Sequence, residues 1–346
     1  MRVAFVTVGD TDRLTGGYLY NRRLLDGLAE NGVEVRQVAP CGATPAEQAE
    51  ASSGFGDALE PARFDVLVVD ALARIVVAPH LDGWRSVRPV VALVHELPGV
   101  VDPTTAERER PFEAPLLRSD RLVAVSEHGG KVLLDRGVLA DRVAVVRPGF
   151  DGLEPCPGGT NGGGITRVLC VAQWIPRKGV LDLVRAWRAE ERSGAVLDLV
   201  GETDADADYA AEILVAASED PSVIGRGPVD DATLAGLYAS ADLFALPSRY
   251  EGYGIVYAEA LSFGLPVVAC DVGPVPEVTG RDAALLVPPG DTGALSGALG
   301  RLLSDAGLRQ KMSAAALRRA ASLPRWRETV EGFLRVLRDA VGGRGR

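Results

Sequence analysis

Two glutamates eight positions apart, Glu251 and Glu259, bracket a turn that carries Gly252 and Gly254. Glycine lets backbone approach a ligand closely, and the free N–H groups of a helix start attract phosphate. A carboxylate does not hold phosphate, but it accepts hydrogen bonds from hydroxyls. Glu251 falls in the turn. Glu259 falls about a turn and a half into the helix that follows, roughly 7 Å further on at 1.5 Å per residue. Hydroxyls at both ends and phosphate in the middle describe a nucleotide sugar. The plain alternative is a loop with one solvated glutamate and a helix with a surface one.

Two elements must position this turn. Before it, the apolar run Asp242–Leu246 is short and sharply stopped by Pro247, as a buried strand would be. After it, Ile255–Phe263 is apolar on most sides and predicts a helix packed into a core. The whole stretch, Pro-Ser-x-x-Glu-Gly-x-Gly-x-x-x-x-Glu-Ala from Pro247 to Ala260 followed by Gly264-Leu-Pro-Val-Val-Ala, resembles glycosyltransferase family 4. Members of that family are retaining enzymes of the GT-B fold. The resemblance implies that Glu251 contacts the donor sugar and Glu259 the ribose.

At 346 residues the chain has room for about two domains, each with its own core. No run of eighteen apolar residues exists, and Met1–Val8 leads directly into a strand, not a signal peptide, so a cytoplasmic protein is expected. Cys41, Cys156, Cys170 and Cys270 are scattered without metal-ligand spacing, and only three histidines are present. Net charge is −10. Residues 1–150 hold 17 basic and 21 acidic side chains, net −4, which leaves −6 for the rest. No concentrated basic patch stands out, so neither nucleic acid nor an anionic membrane is indicated as a partner.

In the first half, Val3–Val8, Val33–Val38, Val66–Val69, Val90–Val94, Leu122–Val125 and Val143–Val146 are short β-branched runs separated by helical or irregular segments. That alternation predicts a parallel sheet in a doubly wound domain, with ligands beyond the carboxyl ends of the strands. A helix is expected over Gly17–Glu30, closed by Asn31-Gly32. The loop before it ends in Gly16-Gly17 and contains no Gly-x-Gly-x-x-Gly fingerprint. The resemblance implies that the Gly16-Gly17 backbone meets the donor diphosphate. His95 and Ser126 each follow a strand and should face the cleft. The family has a histidine where His95 falls, near the reacting sugar, although Glu96 stands where Asp is usual. Ser126 also suits the cap of the helix that follows, with a structural role only. Loops over 9–16 and 96–113 are expected to define the acceptor.

Pro155–Gly164 is too glycine-rich to pack and predicts a linker. The expected boundaries are therefore 1–150 for an acceptor-side domain, 151–165 for the linker, 166–322 for a nucleotide-sugar donor domain, and 323–346 for a terminal helix. The second half repeats the pattern with strands at Val168–Ala172, Val196–Val200, Leu243–Leu246 and Val267–Ala269. The family places Arg where Gln173 stands and Lys where Lys178 stands, and the two grip the diphosphate. Lys178 matches, Gln173 does not, and Arg177 could supply the missing charge. The segment around Arg226 occupies the place where the family cradles the base. Asp204-Ala-Asp206-Ala-Asp208 departs from a calcium loop at Tyr209 and Val215 and reads as a solvated helix start, with the Asp-x-Asp metal pair of other sugar transferases as the rival.

The expected architecture is α/β of GT-B type: two doubly wound Rossmann-like domains facing across a cleft, with the C-terminal helix returning to the N-terminal domain. Trp326, Val330, Phe333, Leu334 and Leu337 form its apolar face, and Val341–Arg346 should fray. The implied activity is transfer of a sugar, with retention, from a nucleotide-diphosphate sugar (a UDP-sugar favoured) to a hydroxyl on a small molecule or glycan, with no metal or other cofactor. His95, Glu251 and Lys178 are the expected catalytic residues. Gly16, Gly17, Gln173, Arg177, Arg226, Gly252, Tyr253, Gly254, Ile255 and Glu259 join Lys178 and Glu251 around the donor. A non-catalytic nucleotide-sugar-binding protein, a phosphorylase or synthase of the same fold, and a nicotinamide-dependent oxidoreductase are the alternatives. The last is disfavoured by the missing fingerprint.

Overall fold

The computed structural model describes residues 1–9, 13, 15–40, 42, 44–151, 164–190 and 192–343, without the side chains of 57 and 58. Most of the expected 151–165 linker, Cys41, Cys156, part of the loop before Gly16 and the last three residues lie outside that set. The chain divides into two compact units. One is Met1–Gly149 with Pro324–Arg346, and the other is Phe150–Leu323.

Among the described residues the first unit holds six parallel strands: β1 (Arg2–Val6), β2 (Glu34–Val38), β3 (Val66–Asp70), β4 (Val90–Val94), β5 (Arg121–Ala124) and β6 (Val143–Val145). Their spatial order is β2-β1-β3-β4-β5-β6, so the direction of winding reverses between β1 and β3. Every residue of β3 and β4 is buried, as expected of a sheet covered on both faces. The helix Gly16–Glu30 buries Tyr20, Asn21, Leu24 and Leu28, a stripe with one amide among apolar side chains. Gly32, at φ +74°, turns the chain out of it.

The helix Trp326–Gly342 completes this unit by burying Val330, Phe333, Leu334 and Leu337, the i, i+3, i+4, i+7 face of an amphipathic helix. A Cβ on Gly27 would overlap the Val330 side chain, so the two helices pack at close range. Thr329 donates its hydroxyl to the Arg147 carbonyl at 2.8 Å, which fixes the entry of the helix. The helix runs on through Val341 and Gly342, where the sequence predicts fraying. Residues 96–113, expected as a loop, are largely helical: Pro98–Val101, Pro103–Thr105 and Ala106–Leu117. Proline at the first helical position starts the first two segments. Fully buried Glu113 holds the Gly99 N–H at 2.8 Å.

The described residues of the second unit also hold six parallel strands: β7 (Thr166–Val171), β8 (Ala195–Val200), β9 (Val223–Gly227), β10 (Leu243–Leu246), β11 (Val267–Cys270) and β12 (Ala284–Val287). The order is β12-β11-β10-β7-β8-β9, and here the winding reverses between β10 and β7. The sequence predicts four of these six. The two additional strands, β9 and β12, are the edges of the sheet. Gly225 and Gly227 on β9, beside a register shift against β8, hide its strand pattern.

Candidate active site

In an open parallel sheet, ligands bind beyond the carboxyl ends of the strands where the winding reverses. In the second unit that point is flanked by the loops after β7 and β10, and these two loops are joined to one another. The Arg249 N–H donates to the Arg177 carbonyl at 2.8 Å. Gly179 takes φ +68°, and a Cβ there would overlap the Pro247 carbonyl oxygen, so only glycine lets the loops close to this distance. Gly254, at φ +91°, begins the Ile255–Ser262 helix, and a Cβ on it would lie 2.5 Å from the Tyr257 ring.

The joined loops bring together the two side chains that the sequence singles out. The Lys178 Nζ donates to Oε1 of Glu251 at 2.7 Å, and the Ser248 hydroxyl donates to the same oxygen at 2.7 Å. The Glu251 side chain is only 4% exposed and that of Lys178 15%. Burial alone would push the Glu251 carboxyl up. The Lys178 ammonium, with the Arg177 guanidinium and the Ser248 hydroxyl, holds it below the ordinary carboxylate range. Arg177 extends an Nη toward the Tyr250 carbonyl, 3.5 Å away. Tyr253 is buried in the turn with Gly252 beside it.

Glu259 accepts a hydrogen bond from the Tyr238 hydroxyl at 2.8 Å. Its residue is half-buried but its carboxyl end is desolvated, which raises it above the ordinary range despite the Tyr238 bond. The two glutamates of one motif are therefore shifted in opposite directions, because an ammonium meets one and a neutral phenol the other. Gln173, at the end of β7, donates its amide to Glu202 at 3.1 Å. Arg226 lies on β9, exposed, with its guanidinium on buried Asp198 at 2.7 Å, so its charge is paired with the neighbouring strand. Of the aspartate run, Asp206 caps the Ala207–Ser218 helix by accepting from the Tyr209 N–H at 3.0 Å. Among the described residues no group of three or more His, Cys, Asp or Glu side chains is placed to hold a metal ion.

The first unit carries a second cluster over its own reversal point. His95, just beyond β4, places Nε2 3.0 Å from Asn21 Oδ1. Asn21 donates Nδ2 to Asp70 at 2.6 Å, and Thr7 donates its hydroxyl to the same carboxylate oxygen at 3.0 Å. Asp70 is 0% exposed and Asn21 4%. Gly17 faces the His95 ring, whereas Gly16 is exposed as the first residue of its helix. Ser126 accepts from the Gly129 N–H at 3.0 Å and acts as a helix cap. Asn21, Asp70 and Ser248 escape a reading of the sequence. A polar residue on the buried stripe of a helix and an aspartate ending an apolar strand are the signals that mark the first two.

The model of the family described as glycosyl transferases group 1 matches residues 165–305, the span that holds Gln173, Arg177, Lys178, Arg226, Glu251 and Glu259. A D-inositol 3-phosphate glycosyltransferase of Kineococcus radiotolerans is 31% identical over 300 residues, 76% of this chain and 68% of the relative. An MMP alpha-(1->4)-mannosyltransferase of Mycolicibacterium hassiacum is 29% identical over 282 residues, 73% of this chain and 66% of the relative. The chain thus spans about two thirds of the length of these curated relatives. Among solved structures, sucrose-phosphate synthase from Thermosynechococcus elongatus matches with TM-score 0.82 and 23% identity over 99% of both chains. Anabaena HepE, solved in complex with UDP-glucose, matches with TM-score 0.80 and 18% identity over 98% of this chain and 100% of its own. At those identities the structures speak for the fold, two Rossmann-like domains of the GT-B class, and the sequence relatives speak for descent. On that footing the chain belongs to the group 1 glycosyltransferases.

Proposed function

We propose that the chain is a retaining glycosyltransferase that moves a sugar from a nucleotide-diphosphate sugar, by preference a UDP-sugar, to a hydroxyl acceptor without a metal ion. The observation that carries this reading is the Lys178–Glu251 pair at the β7/β10 reversal point, 2.7 Å apart beside the start of the Ile255–Ser262 helix. A sugar diphosphate offers both members a new partner: phosphate oxygens for the ammonium, sugar hydroxyls for the carboxylate. Glu259 serves the ribose, and Arg177 takes the cationic place that Gln173 leaves empty. The same reading gives the Gly16-Gly17 amides a contact with the diphosphate and His95 one with the reacting sugar.

In the reaction the bond between the anomeric carbon and the distal phosphate oxygen breaks, and the acceptor hydroxyl oxygen bonds to the same face of that carbon. The leaving phosphate takes the acceptor's proton. Negative charge grows on the diphosphate as the bond breaks, and the Lys178 ammonium and the amides opening the Ile255–Ser262 helix stabilise it. HepE, solved with UDP-glucose, supports the UDP preference. The test is incubation with UDP-, GDP- and ADP-sugars and a panel of hydroxyl acceptors in excess chelator. Transfer from a UDP-sugar with the anomeric configuration kept, by proton NMR, is the expected result. Activity lost to chelator and restored by Mg²⁺ or Mn²⁺ would overturn the metal-free mechanism, and an inverted product the retaining one. A second reading, a nucleotide-sugar binder without turnover, draws on the uncharged Gln173 amide paired with Glu202. Binding without sugar release would establish it.

A further inference from the structure

The buried run from Asp70 to His95 determines where one proton sits. The Leu72 N–H donates to Oδ1 of Asp70 at 2.9 Å and the Thr7 hydroxyl to Oδ2 at 3.0 Å. The carboxylate therefore meets Asn21 as an acceptor and takes the hydrogen bond from Nδ2 at 2.6 Å. An amide whose NH₂ is committed in this way turns its oxygen to the other neighbour. That neighbour is Nε2 of His95, 3.0 Å from Oδ1, and an oxygen there requires a proton on Nε2. In the neutral ring Nδ1 is then without one. Gly17 and Tyr20 close other sides of the ring: a Cβ on Gly17 would stand 3.7 Å from Cδ2, and Tyr20 meets the ring edge-on with centroids 5.3 Å apart.

We propose that Asp70 and Asn21 are positioning residues that lock His95 as its Nε2–H tautomer, so that Nδ1 is offered as a hydrogen-bond acceptor to a substrate hydroxyl. This rests on the reading of His95 as a residue of the reacting site. The opposite tautomer would offer an N–H at the same place and orient a hydroxyl with the wrong polarity. The lock has one direction because it begins at a group that only accepts. The substitution Asp70→Asn gives that position a donor and lets each bond reverse. The introduced amide NH₂ donates to Asn21 Oδ1, Asn21 Nδ2 donates to Nε2, and the ring proton moves to Nδ1.

Nitrogen NMR of ¹⁵N-labelled imidazoles in the full chain reads this directly. Only His80, His95 and His128 contribute, and the signals lost in His95→Gln are those of His95. At about pH 8.5, above the usual imidazole range, the unaltered chain should show His95 protonated at Nε2. Asp70→Asn should invert the pattern, and Asn21→Leu should give a mixture of tautomers. Sugar transfer should fall about 10²-fold in Asp70→Asn, the scale of a misoriented substrate. A wild-type His95 protonated at Nδ1, or both variants keeping the wild-type pattern, overturns the proposal whether or not either variant is active. His95→Gln transferring sugar at the wild-type rate overturns the substrate role and puts the fault in the reading of His95, because the tautomer signals would still report the lock.

Discussion

Glu251 and Lys178 are more than two matches to a motif, because Glu251 is buried, Lys178 is half-buried and each is the other's charged partner. Removing one member of such a pair leaves an uncompensated buried charge, at a cost of about 3–5 kcal/mol. Lys178→Ala should lose stability on that scale and turnover by about 10²–10³. The double variant Lys178→Met with Glu251→Gln should recover most of the stability and none of the turnover. Urea unfolding and a sugar-transfer assay separate the two effects, and wild-type turnover in the folded double variant would remove both residues from the mechanism. The opposite shifts of the two glutamates give opposite pH slopes. Glu251 has its folded carboxyl below the ordinary value of 4.5, so its contribution is complete above that value and is lost as pH falls through the lower, folded one. Glu259 is raised above 4.5, so its ionisation costs stability as pH rises past that value. Glu259→Gln should therefore raise the melting temperature at neutral pH and leave it unchanged in acid, whereas Glu251→Gln should lower it at neutral pH.

At the scale of elements, two glycines decide whether the loops after β7 and β10 can meet. Gly179→Ala and Gly254→Ala each combine a left-handed backbone, about 1–2 kcal/mol for a residue with a Cβ, with an overlap against Pro247 or Tyr257. Both should weaken nucleotide binding as well as stability. Gly32 is left-handed with open space around it, so Gly32→Ala should cost about 1 kcal/mol and leave binding alone, measurable by unfolding and nucleotide titration. The same loops explain what was legible in the sequence. Glu251, Gly254 and Glu259 sit within nine residues, so their spacing alone carries the chemistry. The partner that Ser248 finds, and the run linking Asp70, Asn21 and His95, depend on the tertiary fold, which brings residues 49 and 74 positions apart into contact. Arg226 was legible as a cation but not as one neutralised by Asp198 on the neighbouring strand. Most predicted strands announced themselves by short apolar runs, at the edges β2 and β6 as well as inside the sheets, while glycines interrupt β9 and the four-residue Ala-Leu-Leu-Val of β12 is too short to stand out.

For the whole molecule, the two units differ in how they are completed. Phe150–Leu323 is continuous, whereas the first unit needs Pro324 onward. The Trp326–Gly342 helix buries Val330, Phe333, Leu334 and Leu337, each worth about 1.5–3 kcal/mol on full burial. Ending the chain after Leu323 should therefore unfold or strongly destabilise the first unit while the second keeps its own transition. Two-step calorimetry with and without UDP distinguishes them, since nucleotide should still raise the transition of the second unit in the shortened chain. Among the described residues no helix is long and apolar enough to cross a membrane.

The late helix also imposes an order on synthesis. Residues beyond Pro324 leave the ribosome only after the whole of the second unit has been translated. The first segment must therefore wait, with its apolar surface uncovered, for a helix encoded on the far side of that unit. Newly made chains would thus mature from the middle outward, and the interval before the helix arrives is when chaperones have the most exposed surface to hold.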